Sequence, residues 1–398
     1  MRKLSADYIF TMTGEPIKNG IVTIDQEGTI IDISSDKVDA NTEVFEGIIC
    51  PGFINTHCHL ELSHMRGLIQ DKTGMSFFIK SILSKRAIAS AEQIEIAIAE
   101  AEKEMIQNGI VAVGDISNLN KTFAQKQKGN LYYHTFIEIF NSNPAKANEL
   151  FESGLVLEKE IKNAKQNKST ASIVPHAPYT MSKELLILIN EHAAKNKSIV
   201  SMHNQESQGE DDLFLTKTGD LYNLFMELGF DLSSFHPTGL NALRSTFPFL
   251  TRAEKVLLVH NTFTSFEDIY WAEELLRNMS GGTAKLYWCT CPNANLYIEN
   301  RLPNYDQFLE MESKVTVGTD SLASNWSLSI LDELKTISKH NPTIPIQTLL
   351  TWATKNGADF LGIGQLGTIE NGKQPGLNLL KNVAHLKISD KTEVIKLI

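Results

Sequence analysis

Eight short apolar segments constrain the fold of this chain more than any other feature, because each ends in polar or histidine-bearing residues and is followed by a helical stretch. In order they read IICPGFINTH, IVAVGDIS, LYYHTFIEIF, ASIVPHAP, SIVSMHN, KVLLVHN, AKLYWCTCP and KVTVGTD. Strands that alternate with helices are typical of parallel α/β folds, and eight such units are the number in a closed (β/α)8 barrel of the TIM type. The pattern therefore predicts an α/β barrel, which we expect over residues 49–365.

The two chain ends show a different pattern. Residues 1–48 and 366–398 contain short apolar runs separated by turn residues, such as NGIVTIDQEG near the start and GTIENGKQPGLNLL near the end. Short strands with frequent turns are typical of a β-domain. We expect the two ends to pair and to form one small β-sandwich domain beside the barrel.

Two connections between the predicted strands carry further information. The stretch RAIASAEQIEIAIAEAEKEMIQNG has apolar residues at intervals of three and four, and Gly109 can end the helix that this pattern predicts. The segment from about 207 to 250 contains both sequence patterns typical of helices and patterns typical of turns. Connections of this length often serve as lids over a functional site.

Composition narrows the class of partner. The chain has 398 residues, of which 42% are hydrophobic and 21% charged, as in ordinary soluble proteins. A formal net charge of -10 argues against nucleic acid as a partner, since phosphate binding needs clustered Lys and Arg. No apolar run reaches membrane-spanning length or resembles a signal-peptide core, and four cysteines are too few for a disulfide framework. We therefore expect a cytoplasmic protein that acts on a small molecule.

Histidines and an aspartate recur at the predicted strand ends. His57 and His59 are two residues apart on the first strand, so their side chains point the same way, and imidazole is a good ligand for zinc and other first-row metals. The other members of the set are His176, His203, His260 and Asp320. A chance HxH, buried core histidines and a turn-forming aspartate are the alternatives, but they must be invoked separately at each strand end. Barrel enzymes keep their active sites at these ends, which favours a metal site there.

The motifs PGFINTHCHLE, HAPYT, HNQE, CPNANL and GTDSLASN, in this order, resemble those of the amidohydrolase superfamily. Within it they are most similar to the chlorohydrolases and aminohydrolases that act on nitrogen heterocycles. The resemblance extends over nearly the whole chain. A departure occurs where relatives usually have an Ala-Asp pair before the last β-segment and this chain has Gln374, Pro375, Gly376 and Leu377.

The resemblance implies a metal centre with one divalent ion. Its ligands would be His57, His59, His203 and Asp320, and zinc is the expected metal, with iron and manganese as alternatives. Binuclear relatives bridge two ions with a carboxylated lysine at the end of the fourth strand, where this chain reads ASIVPHAPY. A bound divalent ion lowers the pKa of its water from about 15.7 to around 7, which supplies hydroxide at neutral pH. Relatives are often dimers, so a homodimer is compatible with the family.

The resemblance also implies catalytic roles for three residues. Glu206 lies three residues after His203, and the family's HxxE motif makes it the group that shuttles protons between the attacking water and the substrate. His260 would orient the water beside Asp320, which can accept a proton from it. A surface glutamate at the start of a loop is the alternative reading of Glu206.

Three more residues are candidates for substrate binding. His176 matches the family position that contacts the substrate. Glu61 and Glu138 come near the ends of strands that should face the active site, so either could bind substrate hydroxyls or an exocyclic amine. Ordinary salt-bridged or solvated carboxylates are an equally good interpretation of these two.

These residues predict a hydrolytic deaminase of an aminopurine nucleoside-type substrate. The nearest likeness is to the enzymes that deaminate aminodeoxyfutalosine, while adenosine and S-adenosylhomocysteine-like substrates remain open. A chlorohydrolase or amidase that acts on another nitrogen heterocycle is the alternative within hydrolysis. A barrel that binds a ligand without catalysis is the alternative outside it, but that hypothesis predicts substitutions among the ligands or Glu206, and the sequence has none.

Overall fold

The computed structural model describes residues 1–35, 38–163, 169–233 and 235–398. The strands of these residues are β1 (Arg2–Ile9), β2 (Ile17–Lys18), β3 (Ile21–Ile24), β4 (Ile30–Ser34), β5 (Thr42–Pro51), β6 (Phe53–Cys58), β7 (Ile110–Ser117), β8 (Tyr132–Ile139), β9 (Ser169–Pro175), β10 (Ile199–Asn204), β11 (Lys255–His260), β12 (Lys285–Thr290), β13 (Val315–Val317), β14 (Leu377–Lys381) and β15 (Glu393–Lys396). The α-helices are α1 (Met75–Lys85), α2 (Ala91–Gln107), α3 (Phe123–Lys126), α4 (Ala147–Asn163), α5 (Lys183–Asn196), α6 (Gln208–Thr216), α7 (Gly219–Glu227), α8 (Ala242–Thr246), α9 (Phe266–Met279), α10 (Pro292–Ile298), α11 (Tyr305–Glu310), α12 (Ile330–His340), α13 (Ile346–Ala353) and α14 (Lys355–Leu361).

Eight parallel strands, β6 to β13, form the centre of the molecule. They are arranged in two four-stranded sheets, β6-β7-β8-β9 and β10-β11-β12-β13, in chain order. The sheets meet at both edges. The His203 N–H of β10 donates to the His176 carbonyl after β9 at 2.9 Å, and Cys58 of β6 forms a parallel bridge with Asp320 after β13. The predicted strand set is confirmed, and the fold is a TIM-barrel-like α/β fold.

The first predicted strand is divided in two at Gly52. Its first half belongs to β5, and its second half is β6. The Gly52 N–H turns toward the Pro375 carbonyl at 3.2 Å, and a Cβ at this position would lie 2.3 Å from a Val111 methyl. Only a residue without a side chain fits this close approach, so the chain passes here from the terminal sheet to the central strands. Strand β5 thus runs three residues past position 48.

Both chain ends contribute to one seven-stranded sheet, with the order β15-β14-β5-β1-β3-β4 and β2 paired to β1. The predicted pairing of the ends is confirmed, because β14 lies antiparallel to β5 with Leu379 opposite Ile49. Strand β14 begins at Leu377, the last of the residues that depart from the family pattern. A separate apolar cluster lies under this sheet and includes Leu4, Ile9, Val22, Ile49 and Leu379.

Helix α2 is the predicted helix between the first two central strands. It begins with a capping box, in which the Gln93 N–H donates to the Ser90 hydroxyl at 3.2 Å and the Ser90 N–H donates to the Gln93 side chain at 2.8 Å. Gly109 follows the helix with a φ of +75°, which suits glycine at a helix end. The predicted stop at Gly109 is therefore confirmed, and the capping box at Ser90 marks the start.

The long segment after β10 contains α6, α7 and α8. Apolar residues of α7, among them Leu221 and Phe225, share a buried cluster with Met75 of α1 and with Tyr179. Tyr179 lies three residues after His176, so this segment packs close to the carboxyl ends of the central strands.

No helix in the described ranges is long and apolar enough to cross a membrane. The four cysteines are free and buried, as expected for a chain without a disulfide framework.

A buried ion pair fixes the chain beside the strand ends. Lys126 Nζ lies 2.6 Å from Asp115 Oδ2, and the two side chains are only 4% and 0% exposed. The other oxygen of Asp115 accepts the Leu60 N–H at 2.8 Å. Because Leu60 follows His59 directly, Asp115 holds the chain at the point where β6 leaves the sheet.

We predict that Lys126→Met lowers the free energy of unfolding by about 3–5 kcal/mol, because it leaves the Asp115 charge buried without an opposite charge. Urea unfolding followed by circular dichroism measures the change. Lys121→Met is the matched control, since Lys121 is exposed and belongs to the same loop region. Equal effects of the two substitutions would contradict the prediction.

Candidate metal centre and active site

The structure brings the predicted strand-end residues together. Ligand atoms of His57, His203, His260 and Asp320 all lie within 4.8 Å of one another, and all four residues are buried. His59 belongs to the same cluster, because its Nε2 lies 3.2 Å from His57 Nε2, 3.2 Å from His203 Nε2 and 3.3 Å from Asp320 Oδ1. His57 belongs to β6 and His59 follows directly after this strand. His203 belongs to β10 and His260 to β11, while Asp320 lies in the loop after β13.

The spacing of the imidazole nitrogens fits a metal ion. A tetrahedral zinc ion with bonds of 2.0–2.1 Å holds its ligand atoms about 3.3 Å apart. The Nε2 atom of His59 is 3.2 Å from two other imidazole nitrogens and 3.3 Å from a carboxylate oxygen. A donor set of three imidazoles and one carboxylate suits zinc and also iron or manganese.

Hydrogen bonds on the far side of two rings fix their orientation. The Nδ1 atom of His203 donates to the His176 carbonyl at 2.8 Å, and Nδ1 of His260 donates to the Asn295 side-chain oxygen at 2.8 Å. With the proton on Nδ1, each ring presents the lone pair of Nε2 to the cluster. Both rings are therefore in the tautomer that a ligand or a proton acceptor needs.

Burial keeps these histidines neutral. It lowers the pKa of His59 to about 3 and that of His260 to about 4, and it lowers the pKa of His203 well below its ordinary value. A neutral imidazole is the form that binds a metal.

Asp320 presents one carboxylate oxygen to the histidines. Its Oδ2 accepts the Ser324 hydroxyl at 2.5 Å, while Oδ1 lies 3.5 Å from His57 Nε2. Its backbone has a φ of +56°, and its N–H donates to the His57 carbonyl at 3.0 Å. Burial raises the pKa of the Asp320 carboxyl, but the hydrogen bond with His57 and the nearby imidazoles outweigh burial and hold the pKa well below its ordinary value.

Glu206 lies beside His260 at the edge of the cluster. Its Oε1 is 3.6 Å from His260 Nε2, an atom that has no hydrogen-bond partner in the described part of the chain. Burial, followed by the charges of Asp320 and Glu210, raises the pKa of Glu206 well above its ordinary value. A raised pKa favours the protonated form of the carboxyl group, which is the form that a general acid needs.

Glu138 and His176 form a polar wall next to His203. One ligand atom of each of these three residues lies within 4.8 Å of the others. Oε2 of Glu138 accepts from the Asn118 amide at 2.8 Å, whereas its buried Oε1 has no partner among the described residues and lies 3.6 Å from His203 Nδ1. Burial raises the pKa of Glu138 to about 8. Nδ1 of His176 lies 2.9 Å from the Thr180 hydroxyl.

Glu61 is engaged elsewhere. Its two carboxylate oxygens accept the backbone N–H groups of Asn118 and Leu119, each at 3.1 Å. Burial, followed by the charge of Asp115, raises the pKa of Glu61 to about 7. The residue therefore holds the loop after β7, the loop that carries the Asn118 amide to Glu138.

Several residues that support the site are not found by inspection of the sequence. These are Asn118, Asn295, Ser324 and Glu210. Asn118 lies in a loop without a local pattern, whereas Asn295 and Ser324 lie within the CPNANL and GTDSLASN motifs, which do not themselves indicate which residue supports the site. Glu210 could have been identified from the sequence, because SQGE directly after HNQE has the S-x-x-E spacing of a capping box.

Comparisons with known proteins agree with this geometry. An adenosine deaminase from Helicobacter pylori is 27% identical over 336 residues, which cover 83% of this chain and 78% of that protein. A 5-methylthioadenosine/S-adenosylhomocysteine deaminase from Bacillus thuringiensis is 26% identical over an alignment of length 407, which covers 95% of this chain and 84% of that protein.

Among solved structures, Helicobacter pylori aminofutalosine deaminase in complex with methylthio-coformycin has a TM-score of 0.80 and 24% identity, covering 96% of this chain and 92% of that one. This likeness shows a shared fold. The amidohydrolase family model matches residues 48–398. The resemblance indicated by the strand-end motifs is thus confirmed, and the chain belongs to the amidohydrolase family.

Proposed function

We propose that this protein is a metal-dependent hydrolytic deaminase of an aminopurine nucleoside-type substrate and that it releases ammonia. The observation that carries the proposal is the buried Glu206 carboxyl, which lies 3.6 Å from the free Nε2 of His260 at the edge of a cluster of histidines and an aspartate. A deamination needs one proton at a ring nitrogen and one at the leaving amine, both of which come from the attacking water, and Glu206 is placed to transfer them in turn. The names of the adenosine-type relatives support the same reaction.

We assign one divalent ion, with zinc preferred over iron and manganese, to His57, His59, His203 and Asp320. The support is the set of 3.2–3.3 Å contacts that converge on His59 Nε2 and the fixed tautomer of His203. When bound, such an ion lowers the pKa of a coordinated water from about 15.7 to around 7 and so supplies the nucleophile. His260 lies on the Glu206 side of the cluster, so we assign it to the reaction and not to the metal.

The residues of the chain then divide the proton transfers. Glu206 delivers a proton to the ring nitrogen next to the carbon that bears the amino group. His260 offers an Nε2 lone pair, since its Nδ1 proton is bound by Asn295. Asp320 is the second candidate acceptor for a proton of the water, through a carboxylate whose Oδ2 also accepts the Ser324 hydroxyl. General acid and base catalysis of this kind contributes about 10² to 10⁴ in rate.

For the substrate, we propose contacts from His176 and Glu138. Oε1 of Glu138 is a buried polar atom without a partner among the described residues, and buried polar groups need a partner, so a substrate hydroxyl or amine is a suitable one. Glu61 was a third candidate, but its two oxygens already accept backbone N–H groups, which makes it the weakest of the three. Aminodeoxyfutalosine, adenosine and S-adenosylhomocysteine-like compounds are the substrate candidates.

We also propose the larger architecture that fits this function. The two parallel sheets would close into one (β/α)8 barrel over residues 49–365, with a small β-sandwich from residues 1–48 and 366–398. The contacts at both sheet edges and the separate apolar cluster of the terminal sheet support this division. A cytoplasmic location and a homodimer remain predictions.

Asp320→Asn is predicted to weaken metal binding by more than about tenfold and to lower turnover with it, because the variant removes the only charged ligand of the set. Metal per chain, measured by elemental analysis after gel filtration, is the readout. The exposed Asp359→Asn is the matched control. A full metal content in Asp320→Asn would contradict the ligand assignment.

Glu206→Gln is predicted to lower turnover by about 10² to 10⁴ while the metal content stays near that of the unchanged protein, since the amide cannot carry the proton. Ammonia release and elemental analysis on the same samples test this. Glu191→Gln, on the exposed face of α5, controls for the substitution itself. Unchanged turnover in Glu206→Gln would refute its assigned role.

The reaction itself is tested with a panel of substrates. Metal-loaded protein should release ammonia from at least one of adenosine, 5-methylthioadenosine, S-adenosylhomocysteine and aminodeoxyfutalosine. Chlorinated triazines are assayed in parallel with a chloride electrode. Chloride without ammonia would favour the chlorohydrolase alternative, and neither product from any compound would contradict the deaminase proposal.

A further inference from the structure

The loop that carries Glu206 is folded around the carboxylate of Glu210. Oε1 of Glu210 accepts the Glu206 N–H at 2.6 Å and the Ser207 N–H at 3.1 Å, and Oε2 accepts the Gln205 N–H at 3.0 Å. Glu210 is fully buried. Three successive backbone N–H groups therefore point at one side chain.

This arrangement exceeds what helix capping requires. In a capping box the glutamate accepts only the N–H of the N-cap residue, which is Ser207 for helix α6. The two further N–H groups come from Gln205 and Glu206, which precede the helix. Glu210 thus fixes the backbone of Glu206 itself, from one turn inside the helix.

The loop needs such an anchor because its backbone is strained. Gln205 has a φ of +42°, a left-handed conformation that residues with a side chain rarely adopt. Backbones of this kind persist only where their surroundings hold them in place. The side-chain amide of Gln205 donates to Asp211 at 3.1 Å, so α6 holds the loop through two acidic residues, one on the backbone and one on the side chain.

Glu210 itself stands apart from the cluster. Among the described residues, the hydrogen-bond partners of its carboxylate are these three N–H groups, and none of them belongs to a candidate ligand of the metal. The carboxyl group of Glu206, by contrast, must lie within reach of His260 and the substrate. Its Oε1 atom lies 3.6 Å from His260 Nε2. A small displacement of the Glu206 backbone would change this distance.

We propose that Glu210 is a positioning residue for Glu206: its carboxylate holds three consecutive N–H groups and thereby sets the place of the Glu206 side chain for proton transfer. The inference rests on the proposed function of Glu206. It predicts that Glu210 influences the chemical step without any contact to the metal or the substrate.

The first test is Glu210→Gln in the full-length, metal-loaded protein. Replacement of one carboxylate oxygen by an NH2 group deprives at least one of the three N–H groups of its acceptor. Misplacement of a catalytic group by about 1 Å can cost about 10²-fold in rate, so we expect kcat to fall by about 10- to 100-fold. Metal content should stay close to that of the unchanged protein, because the three N–H groups belong to Gln205, Glu206 and Ser207 and not to a metal ligand. KM should change much less than kcat, because the Glu206 carboxyl acts in proton transfer. Glu210→Asp keeps the charge but is shorter, and its kcat should fall less.

The decisive test is a double-mutant cycle with Glu206→Gln. Residues that act as one unit lose their effect once the partner is removed. Glu210→Gln should therefore cause no further loss of residual ammonia release in a Glu206→Gln background. An equal further loss in that background would overturn the proposal, as would an unchanged kcat in Glu210→Gln.

Glu102→Gln is the matched control for loss of a buried, three-partner carboxylate. Glu102 is buried and accepts from Gln125, Asn130 and Tyr133, none of which belongs to the site. The kcat of the folded Glu102→Gln variant should equal that of the unchanged protein. If Glu210→Gln does not fold, the same cycle is run with Glu210→Asp, and an unchanged kcat there overturns the proposal. If Glu206→Gln retains turnover, the proposed function fails instead, and the two failures are thereby distinguished.

Discussion

The structure depends on the burial of several titratable side chains at one point. His57, His203, His260 and Asp320 lie within 4.8 Å of one another and away from water, and Glu206 and Glu138 lie beside them. Burial of a polar group is costly unless it has a partner. The parallel strands make the convergence feasible, since their carboxyl ends all meet on the same side, while the loops and helices around them supply the missing hydrogen bonds. A divalent ion would supply the remaining partner for the imidazole lone pairs.

Hydrogen bonds from neighbouring residues also orient the side chains of the site. The His176 carbonyl, the Asn295 amide and the Ser324 hydroxyl each bind an atom on the far side of a site residue. Each bond fixes a tautomer or occupies one carboxylate oxygen, so that the other atom faces the centre. The directions of the lone pairs are thus set by the protein before any ligand arrives, which reduces the reorganisation that catalysis would require.

Much of the fold and of the candidate site could be predicted from the sequence. Features that depend on contacts between residues distant in sequence could not. The eight strands and the convergence of His57, His59, His203 and Asp320 follow from local patterns, because strand periodicity fixes which side chains share a side and parallel sheets fix which end carries them. The break at Gly52 depends on contact with Val111 and Pro375, which are distant in sequence.

The different partners of Glu61 and Glu138 could not be predicted for the same reason, because they depend on contacts with a distant loop. Glu61 and Glu138 are alike in sequence context, yet one binds two backbone N–H groups and the other keeps a buried oxygen free. The path of the loop after β7 decides this difference, because the N–H groups of Asn118 and Leu119 take up Glu61 while the Asn118 side chain takes only one oxygen of Glu138. The chemistry of an amidohydrolase can therefore be read from the strand ends, whereas its substrate contacts are set by which loop donors have already been used.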